Sequence, residues 1–285
     1  MKKISVAILT LCFVTGPILA QMDFAEHLFK QGEFYRAITE YKRYIFLNPQ
    51  NKKENALCLY RIGESYLKGE KWFDAADNFK KLVSEYPDSE LVLKARYMTG
   101  VSYYRAGARS IAIPHFEKII EESPNAEYSA KARFFIALAR AEDMDWEKSK
   151  KEFEVLAATH PKSPLAPKSL KLFSMANDAE NLPAKSPVFS GTLSAILPGA
   201  GQFYSERYRD ALSAFLYNGI LGYLTYDAHT KNHNSVYVFG TLTGLFYLSN
   251  IYGAINSAQN ANLLIRVNHL DKLREEARVE LLFKF

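Results

Sequence analysis

Cysteine is scarce in this chain: 2 in 285 residues, with 2 tryptophans and 5 methionines beside them. Cys12 lies in an apolar N-terminal run, so Cys58 is the one cysteine left once that run is removed, and no internal disulfide can form. The sequence also lacks a Gly-Lys-Ser/Thr phosphate loop, a nucleophile elbow, a zinc-protease helix and a paired-cysteine motif. Its 6 histidines are dispersed. His229 and His233 sit in a polar loop as a pair, whereas complete metal sites bring three or four ligands. The formal charge of +5 falls to about +3 once Lys2 and Lys3 are set aside, with no basic stripe to hold nucleic acid. Low-complexity tracts are missing as well, which excludes a disordered linker protein. These absences argue against an enzyme, a bound metal or cofactor and a nucleic-acid partner.

What is present begins with a leader. Residues 1–20, "MKKISVAILTLCFVTGPILA", place Lys2 and Lys3 before an apolar run from Ile4 to Val14 and a Gly16-Pro17 break before Ala20. That is the layout of a cleavable secretory signal, and a run of about eleven residues is short for a membrane span. Leu11 precedes Cys12 where a lipid-attachment site calls for a small residue. The chain therefore reads as exported.

Residues 22–161 carry a repeat. Pro49, Pro87, Pro124 and Pro161 recur at intervals of 38, 37 and 37 residues. Twelve residues before each proline stands a small residue (Ala37, Ala75, Ala112, Ser149), and eight before it an aromatic one (Tyr41, Phe79, Phe116, Phe153). Gly63 and Gly100 precede their prolines by 24. Gly107 stands where a first helix must turn, and each proline ends a second helix because it lacks the amide proton. The pattern resembles the tetratricopeptide repeat, two antiparallel helices per unit. Four such units bury their apolar faces only by stacking into a solenoid, so the fold class is all-α. The fourth copy departs from the pattern, with Ala137, Arg140 and Met144 replacing Gly, Tyr and the turn glycine. The linking phrases "SEYPDSELVLKARY" and "EESPNAEYSAKARF" are similar to a long-linker variety found in periplasmic proteins of envelope assembly.

The resemblance implies that the first helix of each repeat lines a concave groove. It points to Tyr60, Glu64 and Lys68, then Tyr97, Val101, Tyr104 and Arg105, then Phe134 and Leu138, as a surface for a protein or peptide partner. Packing between repeats is the competing role for Tyr97, Tyr104 and Phe134, since aromatics serve as both core and anchors.

Residues 162–189 are rich in proline and hold one short helix, expected over about Lys168 to Ala179. Beyond Pro187 the character changes. Ala211–Tyr226 carries no charge, and neither does 232–265 apart from His233, with the apolar part over Val236–Ile255. Residues 190–265 therefore read as a membrane hairpin, although sixteen helical residues cover only about 24 Å of a hydrocarbon core near 30 Å. Gly240, Gly244, Ser249, Gly253 and Ser257 form a small-residue ridge, expected to pack on Ala214, Gly219 and Gly222. A soluble helical hairpin is the competing reading.

The entrance to this region, "LPGAGQFY", resembles the start of small bacterial membrane domains in which a Pro-Gly-x-Gly-Gln segment leads into paired membrane helices. Pro198 ends a helix, Gly199 and Gly201 permit a reversal, Gln202 bonds freed backbone groups, and Tyr204 and Tyr208 suit an interface. The inter-span loop carries only Lys231 while the charged tail, 266–285, holds several Lys and Arg. For an exported chain that runs against the positive-inside tendency. Val279, Leu281, Phe283 and Phe285 alternate like a strand, but one strand closes no barrel. The sequence thus describes an envelope scaffold whose hairpin meets membrane lipid. A second reading, a component that assists transport or insertion, rests on Gln202, Asn218, Asn250 and Asn256 inside the apolar region.

Overall fold

The computed structural model describes residues 22–277, and all regular structure among them is helical. The expected leader and the alternating stretch 278–285 lie outside the described residues. The chain forms two compact units that divide between Ala176 and Asn177.

The first unit contains α1 (22–30), α2 (Phe34–Leu47), α3 (Lys52–Lys68), α4 (Trp72–Glu85), α5 (Val92–Arg105), α6 (Arg109–Glu122), α7 (Glu127–Glu142) and α8 (Trp146–Thr159). Helix α9 (Ala166–Asp178) runs to the division. From α2 to α8 each helix packs on the next, and α5 also packs on α7, as stacked pairs require. The repeat positions explain the packing. Ala37, Ala75, Ala112 and Ser149 are fully buried, and so are Tyr41, Phe79, Phe116 and Phe153. The aromatic of the second helix lies against the small residue of the first: a Cβ at Gly63 would come within 2.6 Å of Phe79, and one at Gly100 within 2.5 Å of Phe116. Burying each phenylalanine contributes roughly 1.5–3 kcal/mol, which a larger neighbour would forfeit.

The turn between paired helices is the same four times. Gly32, Glu70, Gly107 and Met144 all adopt positive φ, between 59° and 80°. In each case the next amide reaches back to close the helix end: Glu33 to Leu28, Lys71 to Tyr66, Ala108 to Tyr103 and Asp145 to Arg140, at 2.9–3.0 Å. This is the Schellman closure, for which glycine is the unstrained residue. Glu70 and Met144 hold it with a side chain attached, so the fourth repeat keeps the turn despite its altered sequence. At the far end, α2, α4, α6 and α8 each stop two residues before their proline.

The second unit contains α10 (Pro187–Ile196), α11 (Ala200–Tyr204), α12 (Tyr208–Thr230) and α13 (Ser235–Ala277). Ser186 caps α10 by accepting a bond from the Phe189 amide at 3.2 Å. Gly199, at φ 90°, reverses the chain after Pro198, and α11 returns along α10. Helices α10, α11 and α12 all pack on α13. At 43 residues α13 is about 65 Å long, twice a hydrocarbon core. It continues without a break through 266–277, so that part of the expected tail belongs to the helix, because nothing from Arg266 to Ala277 is a proline or glycine to stop it.

Candidate interaction surface and apolar-surfaced unit

The expected groove residues separate by burial. Tyr60, Glu64, Tyr97, Val101, Phe134 and Leu138 are all buried in the solenoid. This corrects their assignment as a recognition surface, for a reason of geometry: a first helix inside a stack has neighbours on two sides. The Tyr97 ring lies 5.2 Å from Tyr128, 6.0 Å from Phe135 and 6.1 Å from Phe116. Phe134 meets Phe153 edge-on at 5.8 Å, and Tyr60 meets Phe79 at 5.4 Å. Burial drives the phenols of Tyr60 and Tyr97 far above their ordinary range. The Glu64 carboxylate is paired at 2.7 Å with Arg61, which also holds Glu26 of α1 at 2.7 Å. That chain of charges joins the first two repeats.

Lys68, Tyr104 and Arg105 remain at the surface, Tyr104 half-buried and the other two exposed. Tyr104 donates to Glu142 at 3.0 Å and packs on Phe135 at 5.0 Å, spanning the third and fourth repeats. Lys68 and Arg105 line a cavity of about 200 Å³ with Leu67, Glu70 and Trp72. The Arg105 guanidinium lies 5.8 Å from the Trp72 ring centroid, and the Lys68 ammonium 5.3 Å from that of Phe29. Cations beside aromatic faces are a chemistry that can anchor an extended segment or helix. Trp72 escaped the sequence reading; its signal was position, immediately after the strained Glu70 turn.

The second unit is built with its polarity reversed. Ser190, Ser194, Gln202, Ser205 and Asn250 are buried, while Val188, Ile196, Phe203, Tyr223, Tyr237, Leu248 and Leu263 stand exposed among many other apolar side chains. The buried groups are matched. Gln202 accepts from Ser194 Oγ at 2.8 Å and donates to the Asn250 carbonyl at 2.9 Å. Ser194 Oγ in turn accepts from the Gly201 amide at 3.0 Å, and Asn250 Oδ1 from the Gly199 amide at 3.0 Å. Asn250 Nδ2 donates to the Ser194 carbonyl at 2.9 Å. The Tyr247 hydroxyl donates to the Ala195 carbonyl. The chain reversal at Pro198 and Gly199 thus has its backbone donors satisfied by side chains of α10 and α13.

At the other end of this bundle the Asn262 amide exchanges bonds with the Lys185 backbone at 2.6 and 2.8 Å. The Lys185 ammonium donates to the Tyr204 carbonyl at 2.8 Å and to Glu206 at 2.7 Å. Close packing requires glycine at Gly201, whose Cβ would meet Ser190 O and come within 2.7 Å of Ala254 Cβ, and at Gly191, where Ile255 would be 2.9 Å away. The expected ridge is corrected here. A Cβ at Gly244, Gly219 or Gly222 would meet nothing within 4 Å, and one at Gly240 only Thr225 at 3.8 Å. Gly253 faces Gln202 at 3.5 Å instead of α12. The α12–α13 contact runs through Thr225 and Thr243, whose hydroxyls are 2.8 Å apart, and through Tyr217 and Phe246.

Helix α13 is, among the described residues, the one helix long and apolar enough to cross a membrane by length and composition. No group of three or more His, Cys, Asp or Glu is placed to hold a metal ion among the described residues.

The YfiO family, described as an outer membrane lipoprotein, matches residues 53–178, from α3 to α9. The apo form of RapI is similar in structure, with a TM-score of 0.50, 13% identity, and coverage of 92% of this chain and 98% of that chain. The TPR-like repeats of a putative kinesin light chain from Podosopora anserina align with a TM-score of 0.46, 11% identity, and coverage of 57% of this chain and 87% of that chain. No curated protein matches by sequence. Among the described residues the chain is an all-helical repeat protein of the tetratricopeptide type, followed by an apolar helical unit.

Proposed function

We propose that this chain is a non-enzymatic scaffold of the bacterial envelope. The solenoid binds a protein segment on the surface around Lys68, Trp72 and Arg105, and the second unit holds it in a membrane. The observation that carries the reading is the reversal of polarity between units. Residues 22–176 bury apolar side chains, as a domain in water must, whereas from Val188 to Leu264 many large apolar side chains face outward around hydrogen-bonded polar groups at Ser190, Ser194, Gln202 and Asn250. An apolar patch of that extent belongs against lipid or protein. The signal-like leader and the envelope description of the matching family support an exported solenoid. The reading in which the hairpin itself transports finds less support, because Gln202 and Asn250 are engaged with one another.

Photo-crosslinking in cells tests the partner surface. A photoreactive residue at Arg105 should give an adduct with a defined envelope protein, abolished by Trp72→Ala, whereas one at the exposed Lys81 on α4 should not. Equal adducts from both positions would remove the surface assignment.

A further inference from the structure

The second helices of the middle repeats carry a feature outside the scaffold reading. A cavity of about 220 Å³ opens between α4, α5 and α6, lined by Lys80, Ser84, Arg96, Thr99, His115 and Lys118 together with Val83. Four of these are basic and none is acidic. Carboxylates reach the basic groups only from outside the lining: Asp77 pairs with Lys80 at 2.9 Å, and Glu122 is shared between Arg96 and Lys118, the latter at 3.9 Å. One carboxylate divided between two cations leaves positive charge uncompensated.

The geometry points to a binding site for a phosphate group, held by Lys80, Arg96 and Lys118 with His115 in the same lining. Three cations approach from three helices, which suits the oxygens of a tetrahedral anion arranged in three dimensions. A planar carboxylate would be served by one guanidinium fork. Lys80 is oriented for this by Tyr103, whose hydroxyl it meets at 3.1 Å, and Tyr103 stacks on His115 at 5.3 Å. The ring of His115 senses the same field. Burial first, then Lys80 and Lys118, push its pKa below the ordinary value, with no opposing carboxylate. A bound phosphate would reverse the effect of those two cations and bring His115 towards protonation. The same phosphate chemistry is found in the free ion and in a lipid headgroup.

The test uses the full chain, purified in detergent and titrated with inorganic phosphate and with glycerol 3-phosphate, the headgroup fragment, against chloride at matched ionic strength. The readouts are binding heat and the imidazole resonance of His115. Phosphate compounds should bind and raise the His115 titration midpoint. Lys80→Gln with Lys118→Gln should weaken binding by about tenfold or more, since two charge-assisted bonds are lost, with unchanged circular dichroism. Preference for glycerol 3-phosphate assigns the site to headgroups, and preference for inorganic phosphate to the free ion. If chloride acts equally, if His115 does not respond, or if the double variant binds as well as wild type, the site is refuted. Lys81→Gln, which removes a cation of α4 outside the lining, should retain binding, and an equal loss there would show that the double variant reports overall charge and would refute the site.

Discussion

Gln202 and Asn250, 48 residues apart, meet inside an otherwise apolar-surfaced bundle: the Gln202 amide donates 2.9 Å to the Asn250 carbonyl and 3.3 Å to its side-chain oxygen. That oxygen also takes the Gly199 amide at the chain reversal. A helix end pointed into an apolar region would leave such donors exposed, at a cost of several kcal/mol each in lipid. The two side chains therefore make the reversal possible, which explains why a Pro-Gly-x-Gly-Gln stretch stands at the entrance to an apolar region.

Asn250→Ala removes the acceptor for the Gly199 amide and the donor to the Ser194 carbonyl. The expected cost is about 1–3 kcal/mol, seen as a lower midpoint of thermal unfolding in detergent. An unchanged midpoint would show that the reversal is held by other means.

Two glycines on the same bundle should respond oppositely to alanine. Gly201→Ala drives a methyl into Ser190 and Ala254 and should destabilise the unit by about 1–3 kcal/mol. Gly244→Ala enters open space and should be neutral or slightly stabilising, since alanine is the better helix former. Thermal unfolding of both variants in one detergent distinguishes them; equal effects would contradict the packing.

The repeats were legible because proline, glycine and small residues act locally: Pro124 ends α6 and Gly107 turns α5 into α6 whatever surrounds them. The turns at Glu70 and Met144 were not, because nothing in a glutamate or methionine announces positive φ; the stack imposes it. The groove was misread for a similar reason. Tyr97 and Tyr104 are seven residues apart on one helix, yet the first is enclosed by Phe116, Tyr128 and Phe135 while the second reaches the surface, and only the neighbouring repeats decide which. In the hairpin, Gly201 and Gly244 look alike in sequence and differ only in what stands opposite.

Met144→Gly should relieve the strained turn of the fourth repeat. Left-handed backbone costs a non-glycine residue about 1–2 kcal/mol, partly offset by the added freedom of glycine when unfolded, so a net gain of about 0.5–1 kcal/mol is expected. Urea unfolding of the full chain measures it, and a loss of stability would mean that the Met144 side chain contributes packing that exceeds the strain.

Cys58 reports on the solenoid core. Burial, then Glu26 and Glu54, push its thiol up to about 12 from an ordinary 9.0. Its folded pKa is raised, so its contribution to stability is full below about pH 9 and is lost between 9 and 12, where the unfolded thiol ionises and the folded one does not. The wild type should therefore lose more urea resistance than Cys58→Ala between pH 8 and pH 10.5. Parallel losses would place the thiol in a polar setting.

The central claim, a repeat scaffold held in a membrane by residues beyond 187, is tested most directly by alkaline carbonate extraction of cell envelopes. The comparison is between the signal-cleaved full chain and a version ending at residue 186. The full chain should stay in the membrane pellet and the shortened one should appear in the supernatant. Release of the full chain into the supernatant would contradict the account, because the apolar surface from Val188 to Leu264 would then have to be covered by protein instead of lipid.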